Sequence, residues 1–169
     1  VGTTLKALKA VDSIRDRVYM AKLAAFCEGL ESLDAAKVEK FRDKLKRDSE
    51  GAKKVGQTLI LVLDRLIDID KPKWISNVFI AYLSGEVSSD EFQRLAQAID
   101  LSHTSDLSAL ISAVPLDLRG NEPWMHYLSN SGLLKARGSG AIGDIGSIYY
   151  QLSELGNVFV RAIKSVEAG

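Results

Sequence analysis

Apolar residues recur three and four positions apart through most of the first hundred residues, a spacing that lines one face of an α-helix. Leu5, Leu8, Val11, Ile14, Val18 and Ala21 form the first set, and Leu23, Phe26, Cys27 and Leu30 continue it. A helix capped by Thr3 or Thr4 and running to about Leu30 is expected, with that stripe turned inward. Asp34 can cap a second helix, with Val38, Phe41 and Leu45 inward. Asp48 or Ser49 opens a third. Here Val55, Leu59, Val62 and Leu66 make one apolar face, while Ile60, Leu63 and Ile67 make another. A helix apolar on two sides is normally central in its bundle, so this one is expected to be the core element. Leu59, Val62, Leu66, Phe79, Phe92 and Leu95 are the expected core.

Asp70 before Pro72 marks a fourth start, because proline's missing N–H is not needed in a first helical turn. Ile75, Val78, Phe79 and Tyr82 follow as a stripe, and Gly85 supplies the stop. Ser88 with Glu91 makes a capping box for a helix burying Phe92, Leu95, Ala96 and Ile99. A shorter helix is expected over Asp106–Val114, ending at Pro115. Beyond it the texture changes. Asn121, Glu122 and Pro123 open a short helix that Gly132 ends, Leu133–Arg137 reads as a strand, Gly138–Gly146 as a loop, and Ser147–Leu152 as a second strand. Ser153 caps a last helix, with Leu155, Val158, Phe159, Ala162, Ile163 and Val166 inward. The chain thus reads as mainly α, a helical bundle over 1–103 followed by a helix–hairpin–helix unit over 104–169, with one continuous domain as the alternative.

Composition narrows the function classes. With 46% hydrophobic and 26% charged residues, the chain has the balance of a folded globular protein. Its longest apolar run, Leu59–Leu63, is far shorter than the roughly 20 residues that cross a bilayer. The first turns carry Lys6, Lys9, Asp12 and Arg15, so no signal peptide is visible. Because the chain opens on Val1, membrane association is expected only through residues that precede it. Cys27 is the one cysteine. It is expected as a free thiol in the core beside Phe26, in a reducing cytoplasm. Lys37–Lys54 is rich in Lys and Arg, but interleaved with Glu39, Asp43, Asp48 and Glu50, and reads as a solvated helix face.

Motifs that could carry chemistry fail on context. Gly85–Glu91 looks like the second half of a calcium-binding EF-hand loop, yet the positions that should supply oxygen ligands hold Ile80, Tyr82 and Ser84. Gly138-Ser139-Gly140-Ala141-Ile142-Gly143 matches a dinucleotide fingerprint literally, but a strand follows it where a helix is needed, so it reads as a hairpin tip. His103 and His126, the two histidines, belong to no zinc-binding pattern. Ser102, His103, Ser105 and Asp106 contain the residue types of a catalytic triad in an order that reads as a helix start. Trp74 and Trp124 read as core or core-edge residues. No catalytic residue, metal site or cofactor is expected.

Ser131-Gly132-Leu133-Leu134-Lys135-Ala136-Arg137-Gly138, followed by Ile148-Tyr149-Tyr150-Gln151-Leu152-Ser153-Glu154-Leu155-Gly156, resembles the end of a winged-helix module. It is similar to repressors of the multiple-antibiotic-resistance type, in which a recognition helix ends at such a glycine and a glycine-rich wing joins two strands. The resemblance spans about residues 104–166 and implies a winged-helix-like β-hairpin. The whole chain also resembles small uncharacterised bacterial proteins, through Ser13-Ile14-Arg15-Asp16-Arg17, Lys53-Lys54-Val55-Gly56 and the Gly85–Asp100 block. In that group a hydrophobic stretch often precedes the first of these segments.

Residues 104–132 hold Arg119 against Asp106, Asp117 and Glu122, and the segment that would enter a DNA groove carries Trp124 and His126 with no Lys or Arg. Duplex binding depends on neutralising phosphates, so nucleic acid is disfavoured. The expected function is a non-enzymatic interaction or regulatory protein that uses the module for contact with a protein partner or with itself. Trp124, His126, Lys135 and Arg137 are the candidate contact residues. The alternative is a DNA-binding transcriptional regulator, with Lys135 and Arg137 on the wing.

Overall fold

The computed structural model describes residues 2–31, 33, 35–114, 122–138 and 148–167, with some side chains in the first two helices outside that description. The architecture is mainly α-helical with a small antiparallel hairpin near the C-terminus. Its elements are α1 (Gly2–Gly29), α2 (Ala35–Arg47), α3 (Ser49–Arg65), α4 (Lys71–Ser84), α5 (Ser89–Leu101), α6 (Thr104–Ala113), α7 (Pro123–Asn130), β1 (Leu134–Gly138), β2 (Ile148–Leu152) and α8 (Glu154–Glu167).

Local chemistry sets most boundaries. The Asp48 carboxylate accepts the Gly51 N–H at 2.9 Å and starts α3. Ser88 and Glu91 close a reciprocal capping box on α5, with Glu91 Oε2 accepting the Ser88 N–H at 2.8 Å. These bonds favour the Glu91 carboxylate and hold its pKa below the usual value. Gly85 and Gly132, both with positive φ, end α4 and the α7 turn, where an L side chain would be strained. Two starts differ from the sequence reading. α1 is already helical at Gly2, so Thr3 and Thr4 lie within its first turn, and α6 begins at Thr104, two residues before Asp106. Asp34, Pro115, Asn121 and the 139–147 loop, with its glycine motif, lie outside the described residues.

The central helix is α4 rather than α3. Ile75, Val78, Ala81, Tyr82 and Leu83 of α4 are all buried, and α1, α2, α5 and α8 pack around it. On α3 the first face behaves as expected, with Val55, Val62 and Leu66 buried and Leu59 packed at the core edge. The second face does not: Leu63 is buried, but Ile60 is exposed and Ile67 is 97% exposed. α3 therefore lies at the bundle's side, with its second stripe covered at Leu63 and exposed at Ile60 and Ile67.

An aromatic cluster joins three helices at the centre. Phe79 lies 5.7 Å from Phe26 of α1 and 6.0 Å from Phe92 of α5 between ring centroids, and Tyr82 lies 6.0 Å from Phe92. Burial pushes the Tyr82 phenol pKa up, with a smaller contribution from Asp48. One contiguous set of buried residues extends from Phe26 to Ile163 and takes in Met125, Leu128, Leu133 and Leu134. It thus draws on residues before and after position 103.

α1 corrects two further expectations. Ile14, Val18 and Ala21 face solvent, while Lys22 is buried with Phe26. Cys27 is exposed, because it follows Phe26 by one residue and so points about 100° away from the inward face. On α2, Val38 is exposed also. Arg42, Lys46, Arg47, Lys53 and Lys54 are exposed, Arg42 and Lys46 beside Glu39 and Asp43 of their own helix, as a solvated basic face requires.

Lysines close three helix ends. Lys22 donates to the carbonyls of Leu63 and Asp64, each at 2.8 Å, at the end of α3. Lys71 donates to Asp100 O at 2.8 Å at the end of α5, and Lys164 to Val114 O at 3.0 Å at the end of α6. Each places a cation where unpaired carbonyls and the helix dipole make the backbone negative. Between α3 and α4, Asp68 accepts from Thr104 Oγ1 and from the Asp70 N–H, which tie that loop to the start of α6 and lower its pKa.

Candidate interaction surface

The C-terminal elements are locked together by a joint that the sequence places in four residues. Gly132 ends the α7 turn, and the Ser153 hydroxyl donates to Gly132 O at 2.6 Å while accepting the Gly156 N–H at 2.9 Å. The Ser153 N–H donates to Leu133 O at 3.1 Å. α8 then comes so close that a β-carbon on Gly156 would sit 2.0 Å from Leu133 O. Serine at the cap and glycine three residues on are thus what this approach demands.

β1 and β2 pair antiparallel, with Leu134 opposite Leu152, Lys135 opposite Gln151, Ala136 opposite Tyr150 and Arg137 opposite Tyr149. Strand alternation puts Leu134 and Tyr150 on the inner face, both buried, and Lys135 and Arg137 together on the outer face, both exposed. Neither cation has a carboxylate among its cross-strand partners.

α7 starts at Pro123 and drives Met125 and Leu128 into the core, with Trp124 half-buried at its edge. Its outer face carries Pro123, His126, Tyr127 and Asn130, preceded by Glu122. Tyr127, 53% exposed, stands between the two histidines. The His126 ring centroid lies 6.2 Å away, and that of His103, at the start of α6, lies 6.4 Å away and edge-on. The structure therefore places His126 in an exposed aromatic cluster, leaves Trp124 as a packing residue, and sets Lys135 and Arg137 on the neighbouring hairpin. Tyr127 and His103 are not among the contact residues expected from the sequence. The one available signal was Tyr127 itself, an aromatic off the Met125–Leu128 core stripe.

The residues with triad chemistry do not assemble one. His103 turns its ring to Tyr127, while Asp106 is buried in the first turn of α6 with Ser105 Oγ at 3.4 Å. Among the described residues no group of three or more His, Cys, Asp or Glu side chains is placed to hold a metal ion. No described helix is long and apolar enough to cross a membrane. Comparison of the chain with protein families, curated proteins and solved structures finds no match.

Proposed function

We propose that this chain is a non-enzymatic interaction or regulatory protein whose α6–α7–hairpin–α8 segment, a winged-helix-like module, contacts another protein. One observation carries the reading. The outer face of α7, where a recognition helix would meet DNA, offers His126, Tyr127 and Asn130 after Glu122, and no cation. Exposed aromatic side chains with few rotamers are what protein interfaces enrich, whereas duplex DNA selects clustered Lys and Arg. A bacterial cytoplasm suits such a protein, given an exposed unpaired Cys27.

A photo-crosslinking amino acid in place of Tyr127 tests the reading. A specific protein adduct formed in cells at Tyr127, and absent when the same group replaces exposed Ser112 on α6, supports it. Equal labelling at both positions refutes it.

The second reading, a DNA-binding regulator, rests on Lys135 and Arg137 standing exposed on one hairpin face. Gel-shift titrations of the wild type, of Lys135→Glu with Arg137→Glu, and of Lys44→Glu with Lys46→Glu and Arg47→Glu separate the cases. Tight, salt-sensitive binding lost in the hairpin variant alone would establish the regulator.

A further inference from the structure

We propose that β1 is a docking edge, beside which an extended segment of a partner protein, with two acidic residues flanking an apolar one, adds as a third strand. This rests on the reading of the module as a protein-contact surface and names the chemistry it takes. The Ser153 N–H donates to Leu133 O, and Leu134 stands opposite Leu152, which fixes the phase of the ladder. Lys135 and Arg137 turn their backbone N–H and C=O groups to Gln151 and Tyr149, whereas those of Ala136 and Gly138 point away from β2. Among the described residues no other element takes up the Ala136 groups. Lys135, Ala136 and Arg137 are all exposed, three in a row, where a strand covered on one face would alternate. Past its buried first residue, Leu134, β1 is therefore an open edge, the template on which extended peptides add.

The side chains identify the occupant. A strand laid antiparallel on this edge bonds to Ala136 through one residue. The residues on either side of that one stand directly opposite Lys135 and Arg137, in the closely spaced pairs of the ladder. Neither cation forms an ion pair among the described residues. Carboxylates two residues apart meet both cations at once, and an apolar side chain between them covers the exposed Ala136 methyl. The same charges disfavour a second copy of the chain, because β1 on β1 would set Lys135 against Arg137 of that copy.

Hydrogen exchange and titration followed by NMR test this on the whole chain. In the free protein the Ala136 amide should exchange fast, and those of Lys135 and Arg137 slowly. The probe is a heptapeptide in which two glutamates flank a central valine, with threonine elsewhere. Saturable binding that shifts and protects the Ala136 amide is expected. Methylating the backbone nitrogen of the central valine should abolish it, and Lys135→Gln with Arg137→Gln should weaken it about tenfold. An Ala136 amide already protected in the free chain would overturn the proposal, as would a lack of saturable binding at millimolar peptide. Equal binding of the methylated peptide would also overturn it, by reducing the contact to charge attraction without a strand. So would duplex DNA that binds more tightly than the peptide and is lost in the same double variant. A Tyr127 adduct formed in cells without peptide binding would overturn this edge alone and leave the protein-contact reading standing.

Discussion

Lys22 ends on the carbonyl oxygen of Leu63, 2.8 Å from its ammonium, with the Asp64 carbonyl held at the same distance. A lysine 4% exposed is thereby stabilised by the end of a helix, not by a buried carboxylate. Burial lowers its pKa, and the Asp64 carboxylate works in the opposite direction. Replacing it with Met keeps the aliphatic stem and removes the donor. Lys22→Met is expected to cost about 1–3 kcal/mol in urea unfolding, through carbonyls left without this partner. An unchanged midpoint would show that water replaces the ammonium at no cost.

Glycine to alanine should act with opposite signs at two helical positions. At Gly156 the new methyl meets Leu133 O, and a loss of about 1–3 kcal/mol is expected. At Gly56, within α3, nothing lies within 4 Å, so a gain of about 0.5–1 kcal/mol should follow from a stiffer unfolded chain. Thermal melts of both variants check the pair.

Leu66 and Ile67 are neighbours at the end of α3 with opposite surroundings, 2% and 97% exposed. Leu66→Ala should destabilise by about 2–5 kcal/mol. Ile67→Ala should fall within about 0.5 kcal/mol of the wild type.

Asp68 and Glu91 both hold their protons less tightly when folded than their ordinary values of 3.8 and 4.5. Hydrogen bonds from Thr104 and Asp70 favour the Asp68 carboxylate, and those from Ser88 favour Glu91. Since the unfolded chain binds more protons in this range, the stability from these two groups is present in full above the unfolded pKa values. It is lost as pH falls through the lower folded ones. Denaturant midpoints measured from pH 6 downward should therefore decline less steeply in Asp68→Asn than in the wild type.

Helix ends were legible in the sequence because their signals are local: Asp48, Gly85, Ser88 with Glu91, Gly132 and Ser153 all act within a turn of where they stand. Helix facing was less so. Periodicity gives the width of an apolar stripe, but where a helix carries two stripes it does not say which one finds a partner. On α1 the stripe through Ile14 and Val18 lost to the one through Tyr19, Lys22 and Phe26, since Lys22 is rewarded by carbonyls 41 and 42 residues away. On α3 the stripe through Ile60, Leu63 and Ile67 is covered at Leu63 alone, and Ile67 lies beyond the helix's last residue, Arg65. The candidate surface divides likewise. Lys135 and Arg137 followed from strand alternation, but the approach of His103 to Tyr127 joins two helices across a connection whose path no local pattern sets.

The Ser153 joint has a mechanical consequence. Two hydrogen bonds fasten Ser153, the cap of α8, to Gly132 and Leu133 at the base of the hairpin, a third ties Ser153 to Gly156 within the first turn of α8, and Gly156 leaves no slack between them. Farther along α8, Phe159 lies stacked on Trp74 of α4, at 5.8 Å between ring centroids. The hairpin is thus a handle and α8 a lever whose far arm bears on the central helix. The path from the strand that carries Lys135 and Arg137 to the core therefore runs through Ser153 and along α8 to Trp74.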